Sequence, residues 1–326
     1  MSRTTSELSL KEACEYLLGR DQILILTHAQ PDGDTIGSGY ALALALKALH
    51  KQVAVRCADP IPHKFTFISL SLEPEEFEPQ TIVAVDVADC KLLGSLCEEY
   101  KDVVDLCIDH HVSNVRYAKR LLLDANASAT CEIIYEMLKI FETPLNRHIL
   151  SALYTGIVTD TGCFKYSNTT AKTHRIAAEL IDAGVDYAEI NRVMFDTKSR
   201  ERVKIEGAVM DNMDFYFGGR VAVIAITRKL LIQTGANDSD LDGINALSRT
   251  IEGVMVGVTL REKKDGKIKI SLRTNAPIDA TSICHRFGGG GHPRAAGCEF
   301  TCPIEEVTEQ LLPVIRESLE ENGCLI

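Results

Sequence analysis

The chain has 326 residues, 45% of them hydrophobic and 25% charged, which is enough for about two domains at ~100–200 residues each. This composition excludes long disorder and collagen-like repeats, and no apolar run approaches the ~20 residues needed to span a bilayer. The net charge of −11 is uneven, with 17 Lys+Arg against 27 Asp+Glu in residues 1–190 and 18 against 19 in residues 191–326; an acidic chain argues against binding long duplex nucleic acid, where affinity comes from many phosphate contacts. The start, MSRTTSELSLKEACEY, has no apolar leader, and the 11 cysteines are scattered through apolar stretches as in Cys107 and Cys131. Both features predict a cytoplasmic protein whose thiols are small buried hydrophobes.

In chain order, ILILTH (23–28), VAVRC (53–57), TIVAVDV (81–87) and VVDLCIDHH (103–111) read as short buried strands. Helical patterns fall at 35–50, 128–141, 146–158 and 170–183. Strands alternating with helices predict an α/β fold with a doubly wound, mainly parallel sheet, whose sites form at the carboxyl ends of strands. The charge-rich helical stretch 186–212 reads as a connector between a first domain, 1–185, and a smaller α+β domain, 213–326. In the latter, FYFGGRVAVIAIT predicts a hairpin around Gly218-Gly219, and VMVGVTLREKKDGKIKISLRT a second one turning at Asp265-Gly266. Helices are expected at 228–234, 240–252 and 304–321. Asp238, Asp240 and Asp242 open like a calcium loop, but its twelfth position is Arg249 where a bidentate Glu is needed; an Asp-rich helix start explains them better.

The polar signatures of the first domain gather at strand ends. His28, Asp32 and Asp34 lie in one tight loop before a helix, with Gly33 and Gly37 permitting close backbone approach. Read alone, Asp34 or Thr35 is a good helix N-cap. The third strand ends at Asp86, the fourth at Asp109, His110 and His111, and a later helix delivers Asp160. A parallel sheet brings these ends to one rim, where so many acids repel one another unless cations neutralise them. In the second domain, Gly288–Gly291 cannot make a good strand or helix interior and exposes N–H groups as an anion nest, followed at once by His292 and Arg294. In KIKISLR, period two places Lys267, Lys269, Ser271 and Arg273 on one face.

In order, H28-x-x-P-D-G-D34, Asp86, D109-H-H111 and T159-D-T-G162 resemble the four motifs of the DHH phosphoesterases, and FGGGGHPRAAG (287–297) resembles the glycine-rich signature of the DHH-associated C-terminal domain. The resemblance covers essentially the whole chain, and its subgroup is the short two-domain nanoRNase and pAp-phosphatase type (pAp being 3′-phosphoadenosine 5′-phosphate). It implies two divalent, manganese-type ions: His28 and Asp32 on the first, Asp34, His110 and Asp160 on the second, and Asp86 bridging both. It implies that His111 faces the scissile phosphate and that Asp109 orients the histidines. It further implies substrate contacts from Arg273, Gly289, Gly290, Gly291, His292 and Arg294, across a cleft between the domains. Arginine suits bidentate phosphate recognition.

The expected function is therefore two-metal hydrolysis of short oligoribonucleotides to mononucleotides, removal of the 3′-phosphate of pAp to give AMP, or both. Acting on pApA or cyclic di-AMP is the nearest alternative, since it would use the same metal site. A catalytically silent nucleotide-binding regulator is the alternative from another class, and its mark would be a lost ligand. The expected partners are short RNA or nucleotides, with no long duplex nucleic acid and no membrane; the sequence does not decide between a monomer and a homodimer.

Overall fold

Successive side chains of a strand point to opposite faces, and the apolar runs of the first half use both. The computed structural model describes residues 5–241 and 243–325. Its first unit, up to Thr197, holds β1 (Ser6–Glu7), β2 (Ile23–Leu26), β3 (Val53–Arg56), β4 (Thr81–Val85), β5 (Leu106–Asp109) and β6 (Arg120–Leu123). These form one parallel sheet in the order β1-β6-β5-β4-β2-β3. Ile23, Ile25, Val83, Val85, Leu106 and Ile108 share one core with the helices Leu10–Leu18, Gly33–Ala48, Thr130–Ile140 and Arg147–Asp160. Leu24, Leu26, Ala84 and Cys107 face the other way, onto Cys90, Leu93 and Tyr100. Burial on both faces is why the strands read as continuous hydrophobic runs rather than alternating ones.

The sheet is thus doubly wound as expected, and the order of its strands sets the position of the site. From β2 the chain steps outward to β3, then returns to β4 on the other side of β2. The reversal between β2 and β4 is a topological switch point, where parallel sheets open a crevice at their carboxyl ends. The loops after those two strands carry His28, Asp32 and Asp34, and Asp86. Sequence reading overlooked the short strands β1 and β6 and the helix Leu10–Leu18. The helix had a legible start, because Ser9 and Glu12 cap one another reciprocally.

The Gly33–Ala48 and Arg147–Asp160 helices cross with almost no space between backbones. A Cβ on Gly37 would lie 2.4 Å from the carbonyl oxygen of Ala152, and one on Gly156 would lie 2.2 Å from the sulfur of Cys131 and 2.8 Å from Asp34 Oδ1. The expected role of Gly37 in close backbone approach is therefore a helix–helix contact, and it locks Asp34 and Asp160, on opposite helices, into one frame.

The stretch 186–212 is shared between the units. Ile190, on the Tyr187–Asn191 helix, joins the first core. Ile205 and Val209, on the Arg200–Asp211 helix, pack with Ile224 and Ile226 in the second unit, which begins at Lys198. That unit contains β7 (Asp214–Tyr216), β8 (Val221–Ile226), β9 (Val256–Glu262), β10 (Ile268–Thr274), β11 (Gly290–His292) and β12 (Ala295–Phe300), ordered β11-β12-β10-β9-β8-β7. Both expected hairpins are present, β7/β8 and β9/β10, and the β8/β9 pair is parallel. The Ile304–Glu321 helix lays Val307, Leu311, Ile315 and Leu319 on Val256, Val258, Leu260, Ile270 and Leu272.

Two expectations for this unit are corrected. The helix expected at 240–252 is a pair of 3₁₀ turns, Asp238–Leu241 and Ile244–Thr250, with Gly243 at φ 75° between them. Its acids are used locally: Asp240 accepts from Ser199 Oγ and the Asn237 amide, and Asp238 pairs with Arg261. Asp242 lies outside the described residues. The glycine run is also not strand-free, because Gly290–His292 forms the edge strand β11 against β12. Missing side chains permit this closeness: a Cβ on Gly289 would lie 2.2 Å from the carbonyl oxygen of Gly297.

Replacing Gly37 with Ala forces a methyl group onto a backbone carbonyl. The expected cost is about 1–3 kcal/mol, as for other overpacked cores, measured as a lower chemical-denaturation midpoint with an unchanged slope. An unchanged midpoint would mean that the two helices are not in contact at this glycine.

Candidate metal centre

The acidic and imidazole groups at the switch point are held by fixed hydrogen-bond partners, some local and some on remote segments. Asp32 is the N-cap of the Gly33–Ala48 helix, with Oδ1 accepting from the amides of Asp34 and Thr35. The capping role considered for Asp34 or Thr35 thus belongs to Asp32. Asp34 instead turns inward, 1% exposed. Its Oδ2 accepts from the Thr130 amide at 2.6 Å and its Oδ1 from the Cys131 amide at 2.9 Å. Ala129, at the start of the Thr130–Ile140 helix, offers no capping side chain, so the carboxylate of Asp34 fills that place from another helix, where the positive end of the dipole favours it.

Asp86 follows β4 with a left-handed backbone, φ 62°, a conformation uncommon for a non-glycine residue and frequent at functional sites. Its amide donates to Ile108 O, and its Oδ1 accepts from Thr130 Oγ1 at 2.9 Å. Asp109 is fully buried. Its Oδ1 accepts from the amides of His110 and His111 and lies 2.8 Å from His111 Nδ1, while Oδ2 accepts from Asn114 at 2.7 Å. Asp160 ends the Arg147–Asp160 helix, and its carbonyl oxygen accepts from Asn168.

These residues converge. His28 Nε2 is 3.6 Å from both Asp32 Oδ1 and Asp86 Oδ2. His110 Nε2 is 3.9 Å from Asp34 Oδ2, 3.8 Å from Asp86 Oδ1 and 3.7 Å from Asp160 Oδ2. In both rings Nδ1 lies against a backbone carbonyl, Ala29 O for His28 and Ala127 O for His110. With the proton on Nδ1, each Nε2 lone pair points at carboxylates. His110 Nε2 is buried without a hydrogen-bond partner, and buried polar atoms are rarely left so. His28–Asp32–Asp86 and Asp34–His110–Asp160 each bring one donor atom per residue within 4.8 Å of one another, and Asp86–His110–His111 makes a third such group. Imidazole nitrogen with carboxylate oxygen is a donor set for a hard or borderline divalent cation. The orphaned nitrogen and the facing acids fit such ions.

The electrostatics reflect the crowding. Burial, then the charge of Asp86, holds Asp34 well above the usual carboxylate range; burial, then Asp32, does the same to Asp86, and burial, then Asp34, to Asp160. Burial also opposes charge on His28, but Asp32 and Asp86 outweigh it and push the ring up to about 9. The hydrogen bond to Asp109 leads the rise of His111, also to about 9. Asp109 runs the other way: burial would raise it, but its bonds from His111 and Asn114 hold it low.

The structure brings His28, Asp32, Asp34, Asp86, His110 and Asp160 together, with Asp109 beneath and His111 at the edge, its side chain 43% exposed. In the second unit, Arg273 is half-buried and donates to Leu272 O, Arg294 donates to Ile278 O, and His292 is exposed. Thr130, Cys131, Asn114 and Ala127 were missed. Only Asn114, five residues after Asp109, and the uncapped helix start at Ala129 left a trace in the sequence.

The model of the DHH family N-terminal domain matches residues 22–157, and that of the DHHA1 domain matches 218–321. The chain is 36% identical over 311 residues to the bifunctional oligoribonuclease and PAP phosphatase NrnA of Thermus thermophilus, covering 93% of this chain and 92% of that one. It is 29% identical over 286 residues to the protein of the same name from Bacillus subtilis, covering 86% and 90%. Among solved structures it is similar to an exopolyphosphatase-related protein from Bacteroides fragilis, with a TM-score of 0.85 at 25% identity over 96% of this chain and 95% of that one. On the strength of these matches, and with both domains in sequence along it, the chain belongs to the DHH family.

Proposed function

We propose that this chain is a two-metal phosphoesterase that hydrolyses short oligoribonucleotides to mononucleotides and removes the 3′-phosphate of pAp to give AMP. One observation carries the reading: the buried, unpartnered His110 Nε2 faces Asp34, Asp86 and Asp160, while His28 faces Asp32 and again Asp86. His28 and Asp32 would hold one ion, Asp34, His110 and Asp160 a second, and Asp86, whose two oxygens face the two histidines, both; manganese suits this mixed set. Both curated relatives reported above carry the two activities in their names.

When bound, divalent ions supply an acidified water and positive charge against the phosphoryl oxygens. The protein does the rest. Asp109 fixes the orientation of His111 through Nδ1, leaving Nε2 as the nitrogen that can meet substrate. An imidazole paired with a buried carboxylate can, when protonated, neutralise the scissile phosphate or give a proton at Nε2 to the leaving oxygen. Asp109 thereby acts as a positioning residue for both histidines. In the second unit, Arg273, His292 and Arg294, with the amides of Gly289, Gly290 and Gly291, would read the substrate's other phosphate. A small substrate with few phosphates suits an acidic protein.

The deciding experiment is a product assay with manganese on pAp, a diribonucleotide, pApA, cyclic di-AMP and pyrophosphate. Mononucleotide from the diribonucleotide and AMP from pAp are expected; turnover of pyrophosphate alone, or of none of the five, would overturn the reading.

Asp86→Ala should lower turnover at saturating manganese by ~100-fold or more, the scale seen when a metal site loses its support, with an unchanged far-UV spectrum. Activity near that of the parent would remove Asp86 from the metal site. Arg273→Ala should raise KM by ~10–100-fold with kcat little changed, as expected for loss of one charge-assisted bond; an unchanged KM would exclude it as a contact.

The metal-free protein should also lose stability with rising pH. Asp34, Asp86 and Asp160 hold protons more tightly folded than unfolded, so their contribution is complete below the unfolded carboxyl pKa and is lost as pH rises through the raised folded values. The raised histidines act in the same direction. Melting temperature should therefore fall between about pH 5 and pH 8, and excess manganese should restore it at the upper end. A metal-free melting temperature that is flat with pH would mean that the acids are not crowded.

A further inference from the structure

The segment following Asp86 contains a cysteine pair that the phosphoesterase chemistry does not use. Cys90 and Cys97 are seven residues apart, a spacing that a continuous α-helix would stretch over ~10 Å. Here the turn Cys90–Leu96 breaks at Gly94, whose φ of 61° and ψ of −128° lie outside the helical region. The break folds the chain back, and the two sulfurs come to rest 3.1 Å apart. Cys90 is 7% exposed, and Cys97 is half-buried. The same turn buttresses the candidate metal centre: Leu92 O accepts from the amide of Ala29 at 2.7 Å, next to His28, and a Cβ on Gly94 would lie 2.8 Å from the Cβ of Ala29.

We infer that Cys90 and Cys97 form a reversible oxidation site that closes to a disulfide when a hydroperoxide is the oxidant, clamping the turn that supports Ala29. Closure needs the sulfurs to approach by about 1 Å, to the ~2.05 Å of a disulfide bond. Cys97, the more exposed, is the attacking sulfur. Burial and the neighbouring Cys97 push the Cys90 thiol up to about 12, which makes it the poorer of the two as the first nucleophile. As the Cys97 sulfur takes the terminal peroxide oxygen, the O–O bond breaks, the displaced oxygen is protonated and leaves as alcohol (water from hydrogen peroxide), and Cys97 becomes a sulfenic acid. The Cys90 sulfur then displaces that hydroxyl, which leaves as water with the Cys90 proton. In sum, two thiols give up two electrons and two protons, and one peroxide bond is reduced.

The test uses the full chain, reduced, freed of reductant and treated with hydrogen peroxide, then denatured, alkylated and digested with trypsin. Cleavage after Lys91 separates the two cysteines, so the disulfide joins the peptide ending at Lys91 to Leu92–Lys101, with a mass ~2 Da below the two free thiol peptides together. This product is expected, reversed by a dithiol, with amide exchange at Ala29 slowed several-fold in the oxidised protein. Cys97→Ser should leave Cys90 alkylatable after peroxide, and Cys90→Ser should leave Cys97 as sulfenic or sulfinic acid. The inference is overturned if both thiols still alkylate after other cysteines have oxidised, if Cys97 over-oxidises in the parent chain without a link, or if the only disulfide formed joins two other cysteines. Unchanged exchange at Ala29 in the linked protein overturns the clamp.

Discussion

The constraint on which this structure depends is electrostatic. Four carboxylates and two imidazoles are gathered where strand ends meet, and two of the acids, Asp34 and Asp86, are almost wholly buried. Like charges in such a place repel, and withdrawal from water costs each of them more. Proton uptake relieves that cost in the metal-free chain, and divalent cations bound among these residues would relieve it as well. The arrangement is stable as a fold because each acid has fixed donors: Thr130 and Cys131 for Asp34, Thr130 for Asp86, Asp34 and Thr35 for Asp32, and Asn168 for Asp160.

The scaffold serves the same end. A parallel sheet covered on both faces leaves its carboxyl edge as the place where polar groups can collect, and the reversal of strand order between β2 and β4 opens that edge. The close crossing at Gly37 and Gly156 removes play between the two helices that carry Asp34 and Asp160. A methylene of slack there would be felt directly in donor spacing, since sites of this kind tolerate little displacement.

Family membership and chemistry are separate conclusions. The domain matches and the relatives establish that this is a DHH chain. The chemistry rests on the donor set itself, because folds of this class host many functions. Asp109 illustrates the difference. It belongs to none of the groups that could hold an ion, yet its bonds to His110, His111 and Asn114 orient the edge of the site.

The sequence by itself determined the alternation of strands and helices, the parallel sheet and the acid and imidazole residues at its strand ends, because burial on both faces writes unbroken apolar runs that stop where polar chemistry starts. It also marked the hairpins of the second unit through their Gly-Gly and Asp-Gly turns. It did not reveal β1 and β6, which have two and four residues and no period of their own, nor the glycine edge strand, whose pairing depends on β12 lying alongside. It placed the cap on the wrong residue, since Asp32 and Asp34 are equivalent by local propensity. Only the tertiary structure decided that Asp34 turns inward to another helix's amides, that His110 Nε2 is left without a partner, and that Cys90 meets Cys97. Each of these depends on a distance between segments remote in sequence or on one kinked turn, and no local pattern of residue types encodes such distances.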